Sequence, residues 1–303
     1  MASLLALCLL AVRLASAQAT SSKRGLCYVA TKDSSKDDTI WSESGSDLTW
    51  YYNYGASPTS DVDNTKLTFV PMQWGAPQTS TDMTFYNTVE GLIKSGTKIP
   101  YALGFNEPDG CANGGSCVDA GTAASTWIRE IEPLKKNYKV SLGAPAVTGS
   151  PAGFTWLQNF FTACNGGCTP DFIPVHWYGN FEGLASHIGQ VNATYPNMTM
   201  WVTEYGYPEM SLKDTQNFYN QSASYMDRLS YVTHYSYFGA FRSSVSNVGP
   251  NAAMLTQKGE LTDIGAWYLG EKAEGKKPKG GAAQVAKFAG WAMVVVGVMF
   301  WLV

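Results

Sequence analysis

The sequence predicts one α/β domain built as a (β/α)8 TIM barrel. Three observations point there: eight strand-like runs in order, helix-like segments between most of them, and no G-x-G-x-x-G turn of the kind an open doubly wound sheet carries after an early strand. With both apolar ends of the chain set aside, roughly 255 residues remain, a common size for such a barrel.

The strand-like runs cover residues 25–30, 48–54, 67–73, 101–105, 140–144, 172–176, 200–203 and 233–240, and the barrel as a whole covers 25–270. Each run is short, apolar and aromatic or β-branched, and turn formers bound it. Helical spacing recurs between them. Met83, Val89, Leu92 and Ile93 share one helix face; Trp127, Ile128, Ile131 and Leu134 share another; Phe218, Tyr225, Met226 and Leu229 share a third. The stretches 154–164 and 181–195 read as helices, and Ile264, Trp267, Tyr268 and Leu269 fit a closing one.

The ends read as processing signals. Residues 1–17 have the form of a secretory signal peptide, with an apolar core at 4–10 and Ala15-Ser16-Ala17 as a small-x-small cleavage pattern. Lys23-Arg24 is either a dibasic processing site or a plain exposed pair. Residues 271–287 form a polar linker, and 288–303 an apolar tail. Small residues, a spacer and a hydrophobic tail form the signal for a glycolipid (GPI) anchor, with Gly280 the expected attachment residue because Gly281 and Ala282 beside it are also small. The expected address is secreted, at the cell surface or cell wall, with membrane attachment through the anchor.

Charge is nearly balanced, with a formal net of −3 and no basic patch, which argues against nucleic acid as a partner. A monomer is expected. Cys111 with Cys117 and Cys164 with Cys168 bracket Gly-containing loops, so two local disulfides are expected in an oxidising compartment. Paired Cys-x-x-Cys zinc spacing is absent, and Cys27 is left over in the first strand. Asn192, Asn197 and Asn220 stand in glycosylation sequons. No metal or organic cofactor is implied.

The chemistry lies in two glutamates. Tyr101-Ala-Leu-Gly-Phe-Asn-Glu-Pro-Asp109 carries Glu107, and Met200-Trp-Val-Thr-Glu-Tyr-Gly-Tyr-Pro208 carries Glu204. Each sits where an apolar strand breaks into a loop, at the carboxyl end of the fourth and seventh strands, which is the active face of a barrel. Two carboxylates facing one cleft are what glycosidic-bond hydrolysis requires.

Phe69-Val-Pro-Met-Gln-Trp-Gly75, Leu103-Gly-Phe-Asn-Glu-Pro-Asp109, Val175-His-Trp-Tyr178 and Trp201-Val-Thr-Glu-Tyr-Gly206, in this order, resemble glycoside hydrolase family 128, the Asl-like catalytic domain of fungal cell-wall proteins. The resemblance implies a retaining β-1,3-glucanase acting on glucan polysaccharide or oligosaccharides. It makes Glu107 the general acid/base, a role that needs a proton on its carboxyl, and Glu204 the nucleophile. Asn106 would bond the sugar 2-hydroxyl, and His176 and Tyr178 would orient the nucleophile or bind sugar hydroxyls. Trp74, Trp177 and Tyr54 are candidates for stacking on glucose faces, although the tryptophans could equally pack barrel against helix. Asn53 could add a hydrogen bond. Where the family often brings a tryptophan from strand eight to the sugar, this chain has Tyr237, which stacks with less area. Asp109 reads as a loop-capping residue. Wall remodelling by transglycosylation and non-catalytic glucan binding are the alternative readings.

Overall fold

A computed structural model describes residues 20–278 apart from Ser44 and Asp61, so the expected signal segment, the expected attachment residue Gly280 and the apolar tail lie outside the described residues. Among the described residues no helix is long and apolar enough to cross a membrane.

Every strand pair is parallel. One sheet contains β1 (Gly25–Cys27), β2 (Trp50–Tyr52) and β3 (Thr68–Phe69). A second, curled sheet contains β4 (Tyr101–Leu103), β5 (Ser141–Gly143), β6 (Phe172–Tyr178), β7 (Thr199–Gly206) and β8 (Val232–Tyr237), each paired with the next in sequence. Single parallel bridges, Met72 to Leu103 and Arg24 to Tyr235, join the two sheets at both edges.

Helices carry the chain back between strands, with two exceptions. After β1 there is only a short α1 (Ser34–Asp37) and a 3-10 turn at Asp38–Ser42, and β2 reaches β3 through residues 53–67 without a helix. Elsewhere helices form, with α3 ahead of the helix expected at 127–134: α2 (Thr84–Lys94), α3 (Ala120–Thr126), α4 (Glu132–Tyr138), α5 (Pro151–Cys164), α6 (Phe181–Thr194), α7 (Leu212–Arg228) and α8 (Asp263–Leu269). A π-helical stretch, Trp127–Ile131, joins α3 to α4 just before Pro133. Proline has no N–H for the regular ladder, and the widened turn accommodates that loss. The later helices start on side-chain caps: Ser150 accepts from the Gly153 N–H, Asn180 from Gly183, Ser211 from Asp214 and Thr262 from Gly265. Each such cap is worth ~1 kcal/mol.

Strand alternation divides the apolar residues into two cores. Leu26, Tyr51, Phe69, Ala102, Leu142, Val202 and Tyr235 face outward and pack with the helices. Cys27, Trp50, Tyr52, Leu103, Phe172 and Trp201 face inward. At the amino ends of the strands Trp201 is sandwiched between Phe172 (centroids 4.3 Å apart) and His234 (3.7 Å), with Trp50 and Tyr101 tilted against it at 4.8 and 4.9 Å. Gly25 admits this stack: a Cβ there would lie 2.1 Å from the Trp50 ring.

The seam between β1 and β8 is polar and closed. Arg24, fully buried, pairs with Asp47 at 2.7 Å and donates to the Trp267 and Tyr268 carbonyls and to the Tyr235 hydroxyl. Tyr268 in α8 donates to the Gly25 carbonyl at 2.6 Å and accepts from the Tyr237 N–H. A buried guanidinium is tolerated because its donors are matched in this way.

Candidate active site

Glu204 faces the interior because β7 is bulged. On this strand Trp201 points inward and Val202 outward, so strict alternation would turn residue 204 outward, toward the helices. The register breaks instead: Val175 pairs with Val202, but His176 pairs with Glu204, which leaves Thr203 as an extra residue. A bulge re-aims the side chains beyond it. The Thr203 carbonyl, freed from the ladder, accepts from Tyr52 Oη at 3.0 Å and from Ser236 Oγ. Glu204 then joins the inner layer, and Tyr205 returns to the outer core.

Glu107 reaches the same space by a different route. Its backbone lies in the left-handed region at φ 40, although it is not glycine and precedes a proline, where extended backbone is usual. Such a position costs about 1–2 kcal/mol and persists only where neighbours enforce it. Here the Glu107 N–H donates to Ala146 O at 2.6 Å, and its own carbonyl accepts from Gly110 N at 2.9 Å. Asp109 secures the adjoining loop by accepting from the Thr148 N–H and hydroxyl.

His176, fully buried on β6, lies between the two carboxylates. Nδ1 is 3.0 Å from Glu107 Oε1, and Nε2 is 3.6 Å from Glu204 Oε1. One ligand atom from each of Glu107, His176 and Glu204 lies within 4.8 Å of the other two, so both carboxyls reach one space, and the same trio could hold a cation. Burial alone would lower the His176 pKa, but the charges of Glu204, Glu107 and Asp109 outweigh it and hold the ring above its usual 6.5.

Glu204 accepts two short hydrogen bonds, from Tyr178 Oη to Oε2 at 2.6 Å and from Tyr54 Oη to Oε1 at 2.7 Å, with Tyr52 Oη at a longer 3.4 Å. Burial first, and then neighbouring negative charge, pushes the Tyr54 and Tyr178 hydroxyls well above their usual range, so both stay donors. Tyr54 also sits at positive φ, 62, a second strained residue at this mouth.

The other sequence candidates fall at graded distances from this centre. Asn106 is buried; its Nδ2 donates to Gly114 O at 3.0 Å, and its Oδ1 has no partner. Trp74 follows on from β3 beside Asn106, whose N–H bonds the Trp74 carbonyl, and the residue is 42% exposed. Trp177 points the other way: it packs on the outer core, lies 5.4 Å from His187 and donates to Asn180 O. Asn53 spends its amide on its own turn, accepting from the Gly55 N–H and donating to Ser57 O. Tyr237 is fully buried in the outer core against Tyr205, Tyr219 and Tyr268, because Tyr235 and Tyr237 both take the outward face of β8. The aromatic that reaches the site on the inner side is Phe238, just beyond β8 and 5.6 Å from Tyr178.

Both expected disulfides are present, Cys111–Cys117 and Cys164–Cys168, and Cys27 is free and buried. The first closes the loop whose Gly114 carbonyl holds Asn106 and whose Ser116 N–H donates to the Asn106 carbonyl. Asn197 is exposed, and Asn192 and Asn220 are half-buried on α6 and α7. Sequence reasoning passed over Tyr52, Gln73 and Phe238. Tyr52 carried a signal, since it is two residues from Tyr54 and therefore on the same face of the strand.

The model of the glycosyl hydrolase catalytic core family matches residues 25–268. Alkali-sensitive linkage protein 1 of Schizosaccharomyces pombe is 30% identical over 257 residues, covering 82% of this chain; the chain spans 44% of that longer relative. Among solved structures, a family 128 (subgroup III) curdlan-specific exo-β-1,3-glucanase from Blastomyces gilchristii in complex with glucose has a TM-score of 0.65 at 26% identity, covering 82% of this chain and 98% of its own. A subgroup II endo-β-1,3-glucanase from Sorangium cellulosum has a TM-score of 0.66 at 25% identity, covering 83% and 99%. A subgroup VI exo-β-1,3-glucanase from Aureobasidium namibiae shares the fold, with a TM-score of 0.68 at 21% identity, covering 82% and 95%.

Proposed function

This chain belongs to the glycosyl hydrolase catalytic core family, and from that membership we propose that it cleaves β-1,3-glucan by double displacement, with Glu204 as the attacking carboxylate and Glu107 as the acid/base. The observation that carries the reading is the facing pair of carboxylates with His176 between them, their ligand atoms within 4.8 Å. A gap near 5 Å suits direct attack on the anomeric carbon, whereas an inverting pair needs room for an intervening water.

In this reading Tyr178 and Tyr54 aim the Glu204 oxygens at the anomeric carbon, and Glu107 protonates the departing oxygen. Water then attacks the glycosyl ester, and Glu107 takes its proton. The His176 ring, with Nδ1 3.0 Å from Glu107 Oε1, fixes the orientation of the Glu107 carboxyl. The Asn106 amide offers a buried, unpartnered oxygen to a sugar hydroxyl, and the exposed Trp74 offers a ring for stacking. The eight strands are taken as one closed (β/α)8 barrel, a reading supported by the bridges at both sheet edges. Cell-surface delivery with a glycolipid anchor is the setting that the end segments and sequons suggest.

The test is release of reducing ends from linear β-1,3-glucan, with β-1,4-glucan and mixed-linkage glucan as comparisons. Activity on the first is expected to exceed that on β-1,4-glucan by at least about tenfold. Equal rates on both would contradict the substrate assignment.

A further inference from the structure

The free thiol of Cys27 is a buried nucleophilic group that the mechanism leaves unused, yet it touches the hydrogen-bond chain to Glu204. Cys27 is the inward-facing last residue of β1, 1% exposed and in register with Tyr52 on β2. Its Sγ lies 2.9 Å from Tyr54 Oη, and that oxygen lies 2.7 Å from Glu204 Oε1.

The direction of the first bond follows from counting hydrogens. A phenol has one hydrogen, and Tyr54 gives it to the carboxylate oxygen. The sulfur contact can therefore be made only if the thiol donates, S–H to Tyr54 Oη. Donors in series polarise one another, so a hydrogen bond into the phenol oxygen strengthens the one the phenol makes. Tyr54 needs such support, since its backbone sits at φ 62 and its ring is held through these contacts and by Tyr52 at 5.0 Å.

We propose that Cys27 is a positioning residue for this site, its S–H donating to Tyr54 so that the tyrosine hydroxyl stays aimed at Glu204. The chain then reads Cys27 to Tyr54 to Glu204, with Tyr52 anchoring the bulge beside it through Thr203 O. The thiol is well suited to permanent donation: burial first, and then the charge of Glu204, pushes its pKa upward, so it keeps its proton. This assignment rests on Glu204 being the reacting carboxylate.

The test compares C27S, which keeps a donor, with C27V, which fills the space without one, in the full chain acting on a linear β-1,3-gluco-oligosaccharide. C27V is expected to lower kcat about five- to tenfold with KM within about twofold, the size of one lost neutral hydrogen bond. C27S is expected to retain kcat within about twofold. Thermal melts confirm that both variants are folded at the assay temperature. Wild-type kcat in C27V, or a loss in C27S as large as that in C27V, overturns the proposal. E204A run alongside separates the two layers: if E204A is inactive and C27V is normal, only the positioning role fails; if E204A is active, the catalytic reading itself fails.

Discussion

The two ends of the same eight strands differ in kind. At the amino ends Trp201, Phe172, His234, Trp50 and Tyr101 stack on one another, and the Arg24 seam has its donors matched. At the carboxyl ends Tyr54 and Glu107 are among the non-glycine residues that hold positive φ, and Gln73 Oε1, Asn106 Oδ1, Ser116 Oγ and His176 Nε2 are among the buried side-chain atoms without a hydrogen-bond partner. Strain and unmatched polar atoms cost stability; they also occur at Lys139, Asn165 and the Tyr219 and Tyr237 hydroxyls, but at the mouth they accompany the cluster of Glu107, His176 and Glu204. One end of the domain holds it together, and the other is prepared for a polar ligand.

That contrast can be broken by substitutions at each end. At the mouth, Glu204→Ala or Glu107→Ala is expected to lower kcat about a thousandfold or more while leaving the melting temperature unchanged or raised, since a carboxylate is removed from a crowded site. Turnover near wild type in either variant would remove the site from this end. At the base, Trp201→Ala is expected to cost about 3–5 kcal/mol in denaturant unfolding, the usual result of emptying an aromatic from a packed core. Its kcat at low temperature, per folded molecule, should stay within about threefold. A base variant that lost activity without losing stability would show that the two ends are not separable.

A smaller effect sharpens the mouth. The His176 pKa is raised in the folded protein, so its proton contributes stability that is fully present below the unfolded value of about 6.5 and is lost as pH rises through the folded one. The melting-temperature difference between wild type and His176→Gln should therefore be largest below pH 6.5 and shrink on the alkaline side. A difference that grew with pH would mean the ring is neutral between its two carboxylates.

Much of this was legible in the chain. The eight runs, the helices after β3 and the two glutamates were read from periodicity and from the Gly/Pro breaks after each strand. Helical spacing is read only from Met83 onward, and the structure likewise has no more than the short α1 and a 3-10 turn before β2 and no helix between β2 and β3. Two-residue periodicity misleads at a bulge. Counted from Trp201, Glu204 belongs on the outer face, and only the extra residue Thr203 brings it inward. Nothing in Trp201-Val-Thr-Glu announces that extra residue, since the carbonyl it frees is satisfied by Tyr52, 151 positions away in sequence. Strand eight illustrates the same limit: Tyr237 and Phe238 are both aromatic, and only their register decides which one lies beside Tyr178.

The central claim is direct attack by Glu204, and the anomeric configuration of the first-formed product tests it. In an NMR time course on a linear β-1,3-gluco-oligosaccharide, the account predicts β-configured product first, with the α-anomer rising only as mutarotation proceeds. Immediate appearance of the α-anomer would mean single displacement by water and would contradict the assignment of Glu204 as nucleophile.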